Sequence, residues 1–237
     1  LFIFKEVLIM AKKLLTLAIA ISLLFSTAGL TACNSNKIVE TEYFRVELYK
    51  KEGYAVVLEL TELGKEQEIL AVPMFVEGLP VKQIGRYIGK FWSGWYHIDG
   101  NNLKKLYIPH SVEKTWYSAT LDHDNVIVVN LVDLPTGYSD TVTGATALVH
   151  IDCTCHRNPQ RPNVAFMYNY NGAPNQGYYW FDYVTGSNIF MRPPTPIRED
   201  HSFAGWYLEP ELITTWNERW PQSADETLNL YAKWQEK

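Results

Sequence analysis

No stretch of this 237-residue chain carries apolar residues at a sustained 3.6-residue period, which argues against a core built from long helices. Basic runs are missing as well. The chain holds 21 Lys and Arg against 26 Asp and Glu, and three of those bases (Lys5, Lys12 and Lys13) fall near its start. An acidic balance without a basic cluster argues against nucleic acid as a partner and against electrostatic docking on anionic lipid. Gly-x-Ser-x-Gly, His-Glu-x-x-His and a phosphate-cradling glycine loop are all absent. No catalytic residue is therefore assigned, and no cofactor is expected. Cysteine is confined to Cys33, Cys153 and Cys155. His150, Asp152, Cys153, Cys155 and His156 form the one group that suggests a metal. The chain lacks a second ligand pair at a familiar spacing, so no metal site is assigned. A Cys153–Cys155 disulfide or two free thiols are the alternatives.

What is present begins with Met10-Ala11-Lys12-Lys13, a basic n-region, followed by apolar Leu14 to Phe25 and then small residues. This is the layout of a secretory signal. Thr16, Ser22, Ser26, Thr27 and Gly29 dilute the run below the ~20 apolar residues of a membrane span. Leu30-Thr31-Ala32-Cys33 resembles the lipobox of bacterial lipoproteins. The resemblance implies that residues 1–32 are a signal peptide, with 1–9 upstream of the true start, and that Cys33 is lipidated. The protein is then extracytoplasmic, anchored to the bacterial membrane by lipid on Cys33 and exposed at the cell surface. Residues 33–42 are expected to be a tether, opening on polar Asn34-Ser35-Asn36-Lys37.

Aromatics make up 14% of the chain and alternate with polar positions beside Thr and Val, which favours a mainly β fold. Within residues 43–156 the strand signals are Phe44–Leu48, Val56–Leu60, Ile69–Val72, Leu106–Ile108 and the near-continuous apolar run from Val126 to Val132. Two of these end at prolines, Pro73 and Pro109. Ile69-Leu70-Ala71-Val72-Pro73 leads into Gly78-Leu79-Pro80-Val81-Lys82-Gln83-Ile84-Gly85, and Leu103-Lys104-Lys105-Leu106-Tyr107-Ile108-Pro109 leads into Val112. These pieces resemble the BspA-type leucine-rich repeat, which implies a short solenoid in which neighbouring units bury each other's apolar face. The array is degenerate. Pro73 and Pro109 are farther apart than the family's short period, and Arg86-Tyr87 stands where Ala-Phe is usual.

Residues 157–163, Arg-Asn-Pro-Gln-Arg-Pro-Asn, form a polar, proline-bearing connector and the expected domain boundary. Beyond it, 164–237 alternates from Val164 to Tyr170, turns at Asn171-Gly172 and runs again from Tyr178 to Val184. After the turn Thr185-Gly186-Ser187-Asn188 and the extended link Pro193-Pro194-Thr195-Pro196, a final strand spans Thr227 to Trp234. Asn171-Gly172, Pro194-Thr195-Pro196-Ile197-Arg198, Phe203-Ala204-Gly205-Trp206-Tyr207 and Leu230-Tyr231-Ala232-Lys233-Trp234 together resemble the Listeria–Bacteroides repeat, the B-repeat family of internalins. That implies a small β-grasp-like module of bacterial surface proteins. Ala173 and Asp200-His201 depart from the family pattern.

Trp92, Trp95 and Tyr96, next to Phe91 in a glycine-spaced insertion, are the candidate binding aromatics. Exposed rings of this kind stack on sugars or anchor a protein partner, whereas in a small β domain the same rings also fill cores. Trp206, Tyr207, Tyr231 and Trp234 are expected to pack, and Trp180, Trp216 and Trp220 to be less constrained and open to exposure. Asp122-His123-Asp124 and Asp200-His201 read as solvated loops. The expected function is that of a non-catalytic surface lipoprotein for adhesion or protein interaction, with a protein or a glycan as partner. Glycan binding through the exposed aromatics is the alternative, and a secreted enzyme ranks last.

Overall fold

Alternation of apolar and polar residues becomes strand throughout the residues described by the computed structural model, namely 36–87, 95–96, 98, 100, 102–115, 126–130, 145–149, 159–187 and 189–237. A first sheet opens as an antiparallel meander of β1 (Lys37–Glu40), β2 (Phe44–Tyr49) and β3 (Tyr54–Leu60). Four residues expected in the tether are thus an edge strand, because Val39 lies opposite Val46 and packs on the core. The single-turn helix α1 (Glu62–Lys65) follows. It is capped by Thr61, whose Oγ1 accepts from the Gly64 N–H at 3.1 Å. Next come β4 (Ile69–Ala71) and a hairpin of β5 (Phe75–Val76) and β6 (Leu79–Ile84), turned by Glu77-Gly78. Then β7 (Arg86–Tyr87) and β8 (Trp95–Tyr96) form a separate ribbon. β6 runs parallel to β3, and beyond β9 (Lys105–Ile108), β10 (Lys114–Thr115) runs parallel to β6.

The second sheet is parallel throughout: β4, β9, β11 (Val126–Asn130), β12 (Ala145–Val149) and β13 (Pro159–Gln160). The two proline-terminated segments lie side by side in it, Ile69 against Lys105 and Leu70 against Leu106. Strand alternation then sorts this sheet into two faces. Leu70, Leu106, Ile108, Val126 and Val128 point at Val46, Leu48, Val57, Val81 and Ile84 of the first sheet. Tyr107, Val129 and Val149 point the other way, into a second core shared with the C-terminal region. A parallel sheet covered on both faces explains why Val126 onward reads as an unbroken apolar run. Each fully buried side chain of this size contributes about 1.5–3 kcal/mol.

That second core is closed by a mixed sheet of β14 (Val164–Met167), β15 (Tyr178–Asp182), β16 (His201–Tyr207) and β17 (Leu228–Glu236), ordered β15-β14-β17-β16, with β14 and β17 parallel. Gly205, at φ 127°, sits in a bulge of β16: Phe203 faces Trp234, yet Gly205 faces Lys233. The extra residue puts Phe203 and Trp206 on the same face, with ring centroids 5.0 Å apart, where plain alternation would separate them. Two residues of the expected connector, Pro159 and Gln160, pair with β12. Asn163, at its end, is buried. Its Nδ2 donates to the carbonyls of Val184 (2.8 Å) and Glu226 (3.0 Å), and its Oδ1 accepts from the Val184 N–H at 2.8 Å.

Candidate functional site

A groove of about 390 Å³ opens on the distal module, lined by Leu208, Trp216, Arg219, Trp220, Glu226 and Leu228 among others. The connection from β16 to β17 builds it by folding back on β16. The Leu208 N–H donates to the Thr214 carbonyl and the Trp216 N–H to the Trp206 carbonyl, both at 2.9 Å. The two indoles stand nearly perpendicular with centroids 5.3 Å apart, each 5.8 Å from the buried ring of Phe166. Trp216 Nε1 donates to the Arg219 carbonyl at 3.1 Å, which leaves the Arg219 side chain outward and 72% exposed. Ile213, beyond the groove, is 77% exposed. Two half-buried aromatic rings held rigid beside an exposed guanidinium and the carboxylate of Glu226 can bind a partner.

Most sequence-derived candidates lie elsewhere. Cys33, Trp92, the Asp122–Asp124 stretch and the His150, Asp152, Cys153, Cys155, His156 group lie outside the described residues. Trp95 and Tyr96 form β8, where Tyr96 is half-buried opposite Arg86. That arginine is held by buried Glu47 (2.9 Å) and by the Tyr49 hydroxyl (3.3 Å). Asp200 adopts φ 55° in a turn, but His201, read as loop, is the first residue of β16 opposite Glu236, because the turn at Asp200 delivers it into the sheet; its Nδ1 lies 2.8 Å from the Glu199 carbonyl. Among the described residues no cluster of three or more His, Cys, Asp and Glu is placed to hold a metal. The expectation that Trp180, Trp216 and Trp220 would be open needs correction. Trp180 is buried and stacks on Tyr107 at 4.6 Å, because it points from β15 at the apolar outer face of the parallel sheet. Trp216 and Trp220 are half-buried on Phe166. Arg198, one of the motif residues, lies 4.3 Å over the ring of Tyr170 and 5.8 Å from that of Trp234.

Sequence reasoning missed a buried polar centre between the parallel sheet and β15. Lys105 and Asp182 are 0% and 1% exposed, with Nζ 2.6 Å from Oδ1 and 2.9 Å from Oδ2. Lys105 Nζ also donates to the Ile189 carbonyl at 2.9 Å. The Tyr107 hydroxyl donates to Asp182 Oδ2 at 2.6 Å, the Tyr183 N–H to Oδ1 at 2.7 Å, and the Met191 N–H to the Tyr107 oxygen at 3.0 Å. Burial lowers the Lys105 pKa and raises those of Asp182 and Tyr107, which narrows the gap between the charged and uncharged forms of the pair. One signal was available: Asp182 is the lone charge inside the apolar run Tyr178 to Val184.

His110 flanks the same interface. Its ring makes an edge contact with Tyr168, centroids 6.0 Å apart, and its Nδ1 is buried without a hydrogen-bond partner among the described residues. Burial holds its pKa below the ordinary 6.5. The unfolded chain therefore binds this proton more readily than the folded one. The contribution of His110 is intact above pH 6.5 and declines as acid carries the pH from there down to the folded-state value. Thermal melts at stepped pH are expected to show this decline in the wild type and a flatter profile in His110→Gln; equal slopes would contradict it.

Comparison with curated proteins and with solved structures finds no match. The groove, Asn163 and the whole mixed sheet up to Lys233 nevertheless fall within one recognised module: residues 163–233 match the family model of the Listeria-Bacteroides repeat domain.

Proposed function

We propose that this chain is a non-catalytic cell-surface protein, held to the bacterial membrane by lipid on Cys33, that mediates adhesion or protein interaction. The observation that carries the reading is the Listeria-Bacteroides repeat at residues 163–233, a module whose resemblance to internalin B-repeats implies use on bacterial surfaces. The proximal half supports it. Its parallel rows, Leu70–Leu106–Val128 and Ala71–Tyr107–Val129, suit a short BspA-type solenoid in which each unit covers the next. The groove supplies the contact surface. Rigid aromatic anchors beside an exposed arginine are the composition of interface hot spots.

Binding of the purified full chain to immobilised matrix proteins and to cell-wall glycans tests the reading. Trp216→Ala/Trp220→Ala is expected to weaken protein binding at least about tenfold. Glycan binding that survives this change and is lost in Trp92→Ala/Trp95→Ala would transfer the function to the alternative site. No binding in either class would sink both. Separately, Cys33→Ala is expected to abolish metabolic labelling by palmitate and to release the protein from the membrane fraction. Undiminished labelling would remove the anchor from the proposal.

A further inference from the structure

We propose that Lys105 and Asp182 condense into an intramolecular isopeptide bond, which covalently joins the parallel sheet to the distal module. Three geometric facts carry this. The nucleophile and the electrophile are already in contact: Lys105 Nζ lies 2.6 Å and 2.9 Å from the two oxygens of a carboxyl group on a strand 77 residues away. Contact at this range turns a reaction between two separate molecules into an intramolecular one. Both side chains are fully buried, which excludes water from the reacting atoms. Each oxygen of the carboxyl group also has its own donor, the Tyr183 N–H on Oδ1 and the Tyr107 hydroxyl on Oδ2.

Amide formation needs an uncharged amine and a carboxylic acid, and an apolar site favours this pair over the ammonium and carboxylate. Lys105 lowered and Asp182 raised by burial agree with that requirement. The amine lone pair attacks Cγ of Asp182. The Tyr183 N–H stabilises Oδ1 as charge builds on it in the tetrahedral intermediate, and Oδ1 remains as the amide oxygen. The Cγ–Oδ2 bond breaks. The proton lost by nitrogen passes along the Nζ–H···Oδ2 hydrogen bond to the departing oxygen, which already carries the acid's own proton and leaves as water. Tyr107 holds its hydroxyl hydrogen on Oδ2 throughout and eases that departure; burial raises its pKa and keeps it protonated. One N–C bond forms, one C–O bond breaks and one water leaves, with no oxidant, reductant or activated co-reactant. The event occurs once per molecule. It makes a cross-link, not a turnover enzyme, and it stands independently of the adhesion reading.

The test is mass spectrometry of the full-length, folded chain after denaturation and trypsin digestion. The expected product is a branched peptide linking Lys105 to the Asp182 segment, with a mass equal to both peptides less one water, and no cleavage after Lys105. Asp182→Asn keeps an electrophilic carbonyl and is expected to give the same branch with loss of ammonia. Lys105→Arg and Asp182→Ala are expected to give none. Tyr107→Phe keeps both reactants and is expected to lower the branched fraction. Wild-type protein that melts cooperatively, yet yields a cleavable Lys105 and a linear Asp182 peptide of full mass, overturns the proposal.

Discussion

Asp182→Ala is expected to destabilise the fold by about 3–5 kcal/mol through the stranded partner alone, the usual result of removing one member of a buried pair, with the loss of the covalent link added to it. Whole domains are stable by only about 5–15 kcal/mol, so this is a large share. The reason lies in what remains. Lys105 Nζ keeps only the Ile189 carbonyl, and the Tyr107 hydroxyl loses its acceptor, both out of reach of water. Lys105→Met/Asp182→Leu replaces the pair with apolar side chains of similar size and removes the stranded groups. It is expected to recover most of the loss that comes from desolvation. The deficit left over is a measure of the covalent link, which chain-entropy arguments put at about 4.5 kcal/mol for a loop of this length. Urea titrations of wild type, single variants and double variant decide the matter. An Asp182→Ala protein within about 1 kcal/mol of wild type would contradict the burial argument.

Phe166→Ala is expected to cost a comparable amount, about 3–5 kcal/mol, with an additional effect on the groove. Phe166 is fully buried on β14, the strand between β15 and β17, and it is the common neighbour of Trp206, Trp216 and Trp220. Its removal leaves three indoles around a cavity, and the two outer ones lose the surface that fixes their angle. The near-ultraviolet circular dichroism of the coupled tryptophans is therefore expected to fall even where the far-ultraviolet strand signal persists. Phe166→Leu keeps most of the volume and is expected to cost under about 2 kcal/mol. Equal spectra for Phe166→Ala and wild type would show that the indoles are held by the β16–β17 connection alone.

The strands were legible wherever alternation met β-branched or aromatic residues. Phe44–Leu48, Val126 onward and Tyr178–Val184 all became strands near their expected limits. The turn at Gly186 was legible too: its φ is 77°, and a side chain there would meet the Gln222 carbonyl at 2.6 Å. What sequence could not supply was which face of a strand meets which partner. Lys105 follows Lys104, and the pair reads as a solvated basic step. Alternation sends Lys104 outward to Glu68 and Lys105 into the core. Trp180 looked free because its partner, Tyr107, lies far away in sequence on another sheet. Asn163 looked like linker because all the partners of its side chain, Val184, Ser223 and Glu226, lie more than twenty positions downstream. The groove was hidden for the same reason: its walls are a connection whose shape depends on Phe166 beneath it. Local chemistry determined the elements, and long-range packing determined which residues became a site.

The order of strands within the distal sheet has a consequence for biosynthesis. β14 cannot complete its pairing until β17 has emerged, since β17 runs parallel beside it and comes last in the chain among the four strands of this sheet. Before β14 and β15 are made, the outward row of the earlier parallel sheet, Tyr107, Val129 and Val149, lacks the side chains that share its core, Trp180 among them. If the chain is exported from its N-terminus, as the proposed surface location requires, this apolar, strand-edged surface crosses ahead of the segments that cover it. Such a surface is prone to aggregate until it is covered, and deletion of residues 228–237 removes an inner strand, not a frayed tail.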